Sequence, residues 1–138
     1  MLTYLIDDDY ISLYLTEQVL RIEGFSTEIH AFTGVQDALA SFVPRIADGD
    51  LPQIVLLDLN MPVLNGWQFL DALRPYESTL LNRCHIYLLT SSLAQADTVK
   101  AREYPLVTGI VHKPIDEDDL RTIEDQVKTG NELAAAPG

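Results

Sequence analysis

The sequence predicts an α/β fold, a doubly wound parallel sheet of five strands with helices on both faces. Short apolar runs rich in β-branched residues alternate five times with longer stretches whose apolar residues recur every three or four positions. Such alternation joins parallel strands through right-handed crossovers. The runs at residues 54–57 and 86–89 are apolar throughout, as is typical of parallel strands buried on both faces.

The strands are predicted where short apolar runs are followed by polar residues. They lie at residues 2–6, 27–31, 53–57, 85–89 and 108–112. The first two helices follow at about residues 10–23 and 35–47, and Gly24 ends the first. Each helix has an apolar face that is predicted to pack on the sheet. In the first helix this face comprises Leu15, Val19 and Ile22, and in the second it comprises Val35, Leu39, Phe42 and Ile46.

The remaining helices are predicted in the same way. The third covers about residues 64–73 and ends before Pro75, and the fourth, at about 94–103, has a thin apolar stripe. Acidic residues at 116–119 favour the start of the fifth helix, because negative charge stabilises a helix N-terminus. Their apolar faces comprise Trp67, Leu70 and Leu73, then Ala96, Val99 and Ala101, then Leu120, Ile123 and Val127.

The composition favours one globular domain. Of the 138 residues, 47% are hydrophobic and 22% charged, so a single core can form without disulfides. We expect this domain to cover residues 1–129 and a flexible tail to cover residues 130–138, where no pattern predicts packing. The single Cys84 can form neither an internal disulfide nor a paired-thiolate zinc site, and we expect it in the core.

The net charge disfavours two classes of partner. Acidic residues outnumber basic ones 21 to 9, the net charge is −12, and the basic residues are scattered, so nucleic acid and anionic membranes are unfavourable partners. The apolar residues 1–6 follow no basic segment and resemble neither a signal peptide nor a spanning helix. We therefore expect a cytoplasmic protein that binds neither nucleic acid nor membranes.

Polar residues with related chemistry follow four of the strands. They are Asp7 and Asp8 after the first strand, Asp58 after the third, Thr90 after the fourth and Lys113 after the fifth. The common flavodoxin-like order 2-1-3-4-5 makes the first and third strands neighbours, so the three aspartates are expected to converge. Three carboxylates and one lysine leave two negative charges, for which a divalent cation is the natural counterion. Oxygen ligands favour Mg²⁺ or Mn²⁺ over Zn²⁺, and no acidic stretch has the EF-hand pattern of a calcium loop.

A carboxylate beside a metal, a lysine and a hydroxyl can accept a phosphoryl group. Asp58 would attack phosphorus, Mg²⁺ and Lys113 would offset charge on the transferring oxygens, and Thr90 would donate a hydrogen bond. Taken alone, each of these residues is more commonly a helix cap or a solvated loop residue, the role we assign to Asp9. The joint pattern at one edge of the sheet favours a site.

These motifs give the chain a resemblance to receiver domains of two-component response regulators over about residues 2–127. The matching motifs are Asp7-Asp8, Asp58-Leu-Asn-Met-Pro62 with Asn65-Gly66, Leu89-Thr90-Ser91, and Lys113-Pro114. Each motif is weak alone, but together they are highly specific.

The resemblance implies a role for each matching residue. Asp58 would be the phosphoacceptor, Thr90 would be the switch hydroxyl, and Lys113 would contact the phosphoryl group. The implied Mg²⁺ ligands are Asp8, Asp58 and the backbone carbonyl of Asn60, with Asp7 acting through water. It also implies a cis Lys113–Pro114 bond and a close backbone approach at Gly66.

Two departures lie on the surface that relatives use for partners. Ile110 stands where the family often has a switch aromatic, and residues 104–107 replace a small Gly-Ala pair. The segment 75–83 also resembles an unusually long loop. The output partner therefore does not follow from the resemblance.

The resemblance implies a single-domain response regulator, phosphorylated by a histidine kinase or histidine phosphotransfer protein, and not an enzyme. A magnesium-dependent phosphohydrolase is the alternative, but such enzymes have a second acid where this chain has Asn60. A flavodoxin-like cofactor binder is disfavoured, because residues 7–9 are acidic and would repel a phosphate.

Overall fold

Five parallel strands form one sheet in this computed structural model, which describes residues 2–25, 28–59, 61, 65–91 and 95–135. The strands are β1 (Leu2–Ile6), β2 (Glu28–Phe32), β3 (Ile54–Asp58), β4 (His85–Thr90) and β5 (Val107–His112). They pair in the order β2-β1-β3-β4-β5, which confirms the predicted doubly wound topology. Strands β3 and β4 reach one residue further than predicted, so Asp58 and Thr90 are their last residues.

Helices cover both faces of the sheet; they connect consecutive strands, and the last of them follows β5. They are α1 (Tyr10–Ile22), α2 (Val35–Asp48), α3 (Gly66–Leu73), α4 (Glu77–Leu80), α5 (Gln95–Ala101) and α6 (Glu117–Ala135). The five predicted helices are confirmed, although residues 64 and 94, where two of them were expected to begin, lie outside the described residues. The segment expected to be a long loop contains a 3₁₀ turn, Arg74–Tyr76, and the single-turn helix α4.

The sheet separates two hydrophobic cores because successive residues of a strand point to opposite faces. On one face Tyr4 and Leu57 pack with Phe42 and other residues of α2 and α3. On the other face Leu56 packs with side chains of α1 and α6. Every residue of β3 and β4 is buried, which explains why their sequences do not alternate. Cys84 is buried as expected, and this burial raises the pKa of its thiol to about 12.

The predicted apolar face of α1 is not the face that meets the sheet. Leu13 and Leu20 are buried, whereas Leu15 is 54% exposed and Ile22 is 78% exposed; Val19 is partly buried. The helix carries two apolar rows, and the spacing of residues does not tell which of them packs on the sheet. We call the outward residues the α1 strip; they are Tyr10, Ile11, Tyr14, Leu15 and Ile22.

The prediction of a flexible tail at residues 130–138 is wrong for the first part of this segment, which is helical. Helix α6 continues through Gly130 to Ala135, and residues 136–138 lie outside the described residues. Gly130 is buried and packs so closely on the ring of His85 that a Cβ atom would overlap it. Glycine lowers helix propensity by only about 1 kcal/mol, and the alanines that follow favour the helix, so one glycine does not end it. Within the described part of the chain, no helix combines the length and the apolar character needed to cross a membrane.

Candidate functional site

Three aspartates meet at the carboxyl ends of β1 and β3. Leu57 is the register partner of Ile6, so Asp58 and Asp7 follow at neighbouring positions of adjacent strands. Carboxylate oxygens of Asp7, Asp8 and Asp58 lie within 4.8 Å of one another. Asp7 and Asp58 are buried, and Asp8 is half-buried. The predicted convergence of the three aspartates is confirmed.

Lys113 brings a positive charge to this cluster from the end of β5. Its ammonium lies 2.8 Å from Asp7 Oδ2 and 3.6 Å from Asp58 Oδ1. The backbone N–H of Lys113 donates to the carbonyl of Thr90 at 2.8 Å, which anchors the residue beside β4. The Lys113–Pro114 peptide bond is cis, as the resemblance implies.

Ser12 also belongs to the site, although the sequence pattern did not identify it. Its hydroxyl donates to Asp7 Oδ2 at 2.7 Å and accepts from Lys113 Nζ at 3.2 Å. Asp9 caps α1, as predicted, and accepts hydrogen bonds from the backbone N–H groups of Ile11 and Ser12. A signal was present, because Ser12 is the third residue of the capped helix and a side chain at that position can reach back toward the N-cap residue, here two positions past Asp7.

Burial and pairing act against each other on the titrating groups. Burial alone would raise the pKa of Asp7, but hydrogen bonds from Lys113, the Asp9 backbone and Ser12 outweigh it and hold that pKa below its usual range. Burial would likewise lower the pKa of Lys113, but the hydrogen bond with Asp7 and the charge of Asp58 raise it. Both groups are therefore charged at neutral pH.

The stability of the metal-free protein should depend on this pair at both ends of the pH range. Asp7 has a lowered pKa in the folded state, so its contribution is present above its ordinary value of 3.8 and is lost as pH falls through the folded value. Lys113 has a raised pKa, so its contribution is present below 10.5 and is lost as pH rises through the folded value. Urea unfolding in EDTA measures the difference in the free energy of unfolding between the wild type and Lys113→Met. This difference should be constant near neutral pH and should become smaller in acid and in strong alkali. A difference independent of pH would contradict the pairing.

The other predicted residues surround this pair. Thr90 is buried at the end of β4, one residue past Leu89, the register partner of Asp58. A Cβ atom at Gly66 would lie 2.8 Å from the carbonyl oxygen of Asp58, which confirms the expected close approach. Asn60, the predicted backbone ligand, lies outside the described residues. Ile110 lies in β5 and is half-buried. Its side chain lines a groove of about 410 Å³ between α5 and β5.

An aromatic pair links α3 to the segment before β5. The rings of Trp67 and Tyr104 stack with centroids 5.5 Å apart, and the Tyr104 hydroxyl donates to Asp71 at 2.8 Å. The Arg74 guanidinium lies 4.5 Å from the centre of the Tyr104 ring, and Lys100 Nζ lies 4.8 Å from that of Trp67. The packing role predicted for Trp67 is confirmed, because its side chain is buried in the core together with that of Tyr104; the two cations were not predicted.

A groove of about 290 Å³ opens beside Lys113. Ile11, Leu15 and Val19 of α1 form one wall, and Pro114 and Ile115 form the other. Two members of the α1 strip therefore lie next to the ammonium that pairs with the acidic cluster.

The donor set fits a hard divalent cation. Three carboxylates and one ammonium leave two negative charges at the ends of two adjacent strands, and the ligand atoms that these three described aspartates offer are all oxygens. Mg²⁺ prefers such oxygen donors and is held by few protein ligands together with water. The arrangement can also present Asp58 to an electrophilic phosphorus, because a lysine stands 3.6 Å from its carboxylate.

Comparisons with known proteins identify the family of the chain. The model of the response regulator receiver domain family matches residues 3–124. The crystal structure of a two-component response regulator from Cytophaga hutchinsonii is 30% identical, with a TM-score of 0.86 over 93% of this chain and 96% of that one. The bacteriophytochrome response regulator RtBRR is 26% identical, with a TM-score of 0.75 over 91% of this chain and 76% of that one.

A receiver domain protein (CheY-like) from Methanospirillum hungatei, 20% identical, shares the fold, with a TM-score of 0.73 over 96% of this chain and 97% of that one. A search of curated proteins gives no significant match. Receiver domains are signalling domains of two-component systems. Because the family model spans most of the sheet and every strand that contributes to the acidic cluster, the chain belongs to the response regulator receiver domain family.

Proposed function

We propose that this protein is a single-domain response regulator that accepts a phosphoryl group on Asp58 and thereby changes a protein-binding surface. The donor is a histidine kinase or a histidine phosphotransfer protein, and the reaction takes place in the cytoplasm. The observation that carries the proposal is the pairing of Asp58, buried at the end of a central strand, with Lys113 at 3.6 Å beside two further carboxylates.

In this reaction an oxygen of Asp58 attacks phosphorus in line with the bond to the donor imidazole. The P–N bond breaks, the imidazole nitrogen keeps the electron pair, and an acyl phosphate forms on Asp58. Asp8, Asp58 and the carbonyl of Asn60 would hold Mg²⁺, with Asp7 acting through water. Bound Mg²⁺ would offset negative charge on the transferring oxygens. Lys113 supplies the second positive charge, and the hydroxyl of Thr90 would donate to a phosphoryl oxygen.

The output would pass from Thr90 to the surface formed by α5 and β5. Thr90 ends β4, and its register partner is His112, two residues beyond Ile110 on the edge strand β5. Ile110 packs partly against the core and lines the groove between α5 and β5. A change in the position of Thr90 would alter this groove, with Ile110 as the aliphatic switch residue. The downstream protein would bind this surface.

Intact-protein mass spectrometry tests the proposal directly. The protein is incubated with acetyl phosphate or phosphoramidate, with Mg²⁺ or with EDTA, and circular dichroism checks that it is folded. We expect a gain of one phosphoryl group that requires Mg²⁺. The absence of any gain with both donors, or a gain that is equal in EDTA, would overturn the proposed chemistry.

The part of the α1 strip that lines the groove beside Lys113, namely Ile11 and Leu15, would receive the donor protein. A donor imidazole must come within bonding distance of Asp58, and the apolar groove beside Lys113 continues onto Ile11 and Leu15. Both side chains are largely exposed, at 73% and 54%, so a helix of the donor could bury them. Ile22 belongs to the same strip but does not line the groove.

Ile11→Ser should slow phosphotransfer from histidine kinases without changing the reaction with acetyl phosphate. Loss of one buried aliphatic side chain from an interface costs about 1.5 kcal/mol, which corresponds to roughly tenfold. The measurement compares transfer rates from a panel of purified phosphorylated histidine kinases. Ile22→Ser is the matched control and should transfer at the wild-type rate. Equal slowing in both variants would place the docking surface elsewhere on α1.

A further inference from the structure

The hydroxyl of Ser12 connects two residues of the acidic cluster. It lies 2.7 Å from Asp7 Oδ2 and 3.2 Å from Lys113 Nζ, and the ammonium lies 2.8 Å from the same oxygen of Asp7. These three groups form a closed ring of polar contacts at the edge of the site.

The direction of each hydrogen bond in this ring follows from the charges. An ammonium group can only donate, and an ionised carboxylate can only accept. The single proton of the Ser12 hydroxyl is therefore donated to Asp7, and its lone pair accepts from Lys113. Replacing the hydroxyl with hydrogen would remove one donor from Asp7 and one acceptor from Lys113.

The backbone around Ser12 holds the hydroxyl in place. Asp9 caps α1 and accepts from the N–H of Ser12 at 3.4 Å, while the N–H of Asp9 donates to the second oxygen of Asp7 at 3.0 Å. The carboxylate of Asp7 is thus held from both sides, by the cap and by the ring. Ser12 is half-buried, so water competes with these contacts only in part.

The ring keeps Lys113 closer to Asp7 than to Asp58. The ammonium is 2.8 Å from the first carboxylate and 3.6 Å from the second. A phosphoryl group on Asp58 needs that ammonium at its own oxygens, so phosphorylation must weaken the contacts with Asp7 and Ser12. Contacts present before the reaction and lost during it slow the chemical step.

We propose that Ser12 is a positioning residue that holds Lys113 on Asp7 before phosphorylation and so limits the rate at which Asp58 accepts a phosphoryl group. This inference rests on the proposed function and adds a residue that the family motifs do not contain. The hydroxyl acts through Lys113 and does not itself touch the phosphoryl group.

Ser12→Ala should accelerate phosphorylation by acetyl phosphate about three- to tenfold, the range expected for the net loss of one or two hydrogen bonds. The measurement is the rate of phosphoryl gain by mass spectrometry at saturating Mg²⁺. Affinity for beryllofluoride, a phosphoryl analogue, should rise by a similar factor in a calorimetric titration. Ser12→Thr, which keeps a hydroxyl, should react at the wild-type rate.

A second serine serves as the structural control. The Ser41 hydroxyl is 2.6 Å from that of Tyr4, on the α2 side of the sheet, so Ser41→Ala loses a hydrogen bond without touching the site. Its phosphorylation rate should equal that of the wild type. A Ser12→Ala rate that is unchanged or lower than wild type would overturn the inference.

A readout without phosphorylation separates this inference from the proposed function. Side-chain ¹H–¹⁵N NMR should detect slowly exchanging ammonium protons of Lys113 in the wild type and faster exchange in Ser12→Ala. If the wild-type protein gains no phosphoryl group, the proposed function fails, whatever this experiment gives. If the wild type reacts but the exchange of Lys113 is the same in both proteins, only the role of Ser12 fails.

Discussion

Asp58→Asn is expected to abolish Mg²⁺-dependent phosphorylation and to leave the protein folded. The amide has nearly the shape of the carboxylate but is not nucleophilic and carries no charge, so no acyl phosphate can form. It also removes one of three carboxylates that lie within 4.8 Å of one another. The metal-free variant should therefore be about 1 kcal/mol more stable than the wild type, because repulsion inside the cluster falls. Urea unfolding in EDTA measures that gain, and intact-protein mass spectrometry measures the loss of phosphorylation.

A matched substitution elsewhere controls for the loss of charge. Asp37 lies exposed in the first turn of α2, and Asp37→Asn should be phosphorylated like the wild type. Tandem mass spectrometry of the wild type should place the phosphoryl group on the peptide that contains Asp58. An Asp58→Asn protein that still gains one phosphoryl group at an aspartate would refute the assignment of the phosphoacceptor.

The sheet and the acidic cluster could be predicted because each depends on short-range information. Apolar runs that are followed by Asp7 and Asp58 indicate where two strands end. In a parallel sheet the carboxyl ends of the strands lie at the same edge, so these two aspartates are expected to be neighbours. The close approach at Gly66 was implied by the family motif. A Cβ atom at this position would lie 2.8 Å from the carbonyl oxygen of Asp58, which explains why a side chain does not fit there.

The face of α1 could not be predicted, because the choice between two apolar rows depends on the rest of the fold. Leu13 and Leu20 meet the sheet, while Leu15 remains exposed. The same limit applies to Ser12, whose spacing from Asp7 is known from the sequence but whose contact with Lys113 joins residues 101 positions apart. Contacts of that range exist only after the strands are assembled.

Position 110 holds an isoleucine, and the aromatic contacts near α5 are made instead by Trp67 and Tyr104. Trp67 is the second residue of α3 and follows Gly66, which packs on the backbone of Asp58. Lys100 of α5 and Tyr104 both contact the Trp67 ring. Helix α5 is therefore linked through aromatic and cation–π contacts to the start of α3, which packs on the end of strand β3.

Lys113→Met is expected to have the second large effect, on both stability and chemistry. It removes the ammonium that is paired with Asp7 and Asp58. The net charge of the cluster formed by the three aspartates and residue 113 then changes from −2 to −3. Loss of one partner from a buried ion pair costs about 3 kcal/mol, and Lys113 is only 19% exposed. The rate of phosphorylation should fall about 100-fold, because a positive charge near the transferring oxygens is lost. Urea unfolding at neutral pH in EDTA and the rate of phosphoryl gain measure the two effects.

The double variant Lys113→Met/Asp58→Asn separates charge balance from packing. Its cluster again carries two negative charges, as in the wild type, so most of the stability lost in Lys113→Met should return when Asp58 is neutralised. Saturating Mg²⁺ should likewise stabilise Lys113→Met more than the wild type, since the cation replaces part of the missing charge. If neither change restores stability, Lys113 acts through the packing of its aliphatic chain against the groove beside α1, and the electrostatic account of the site is wrong.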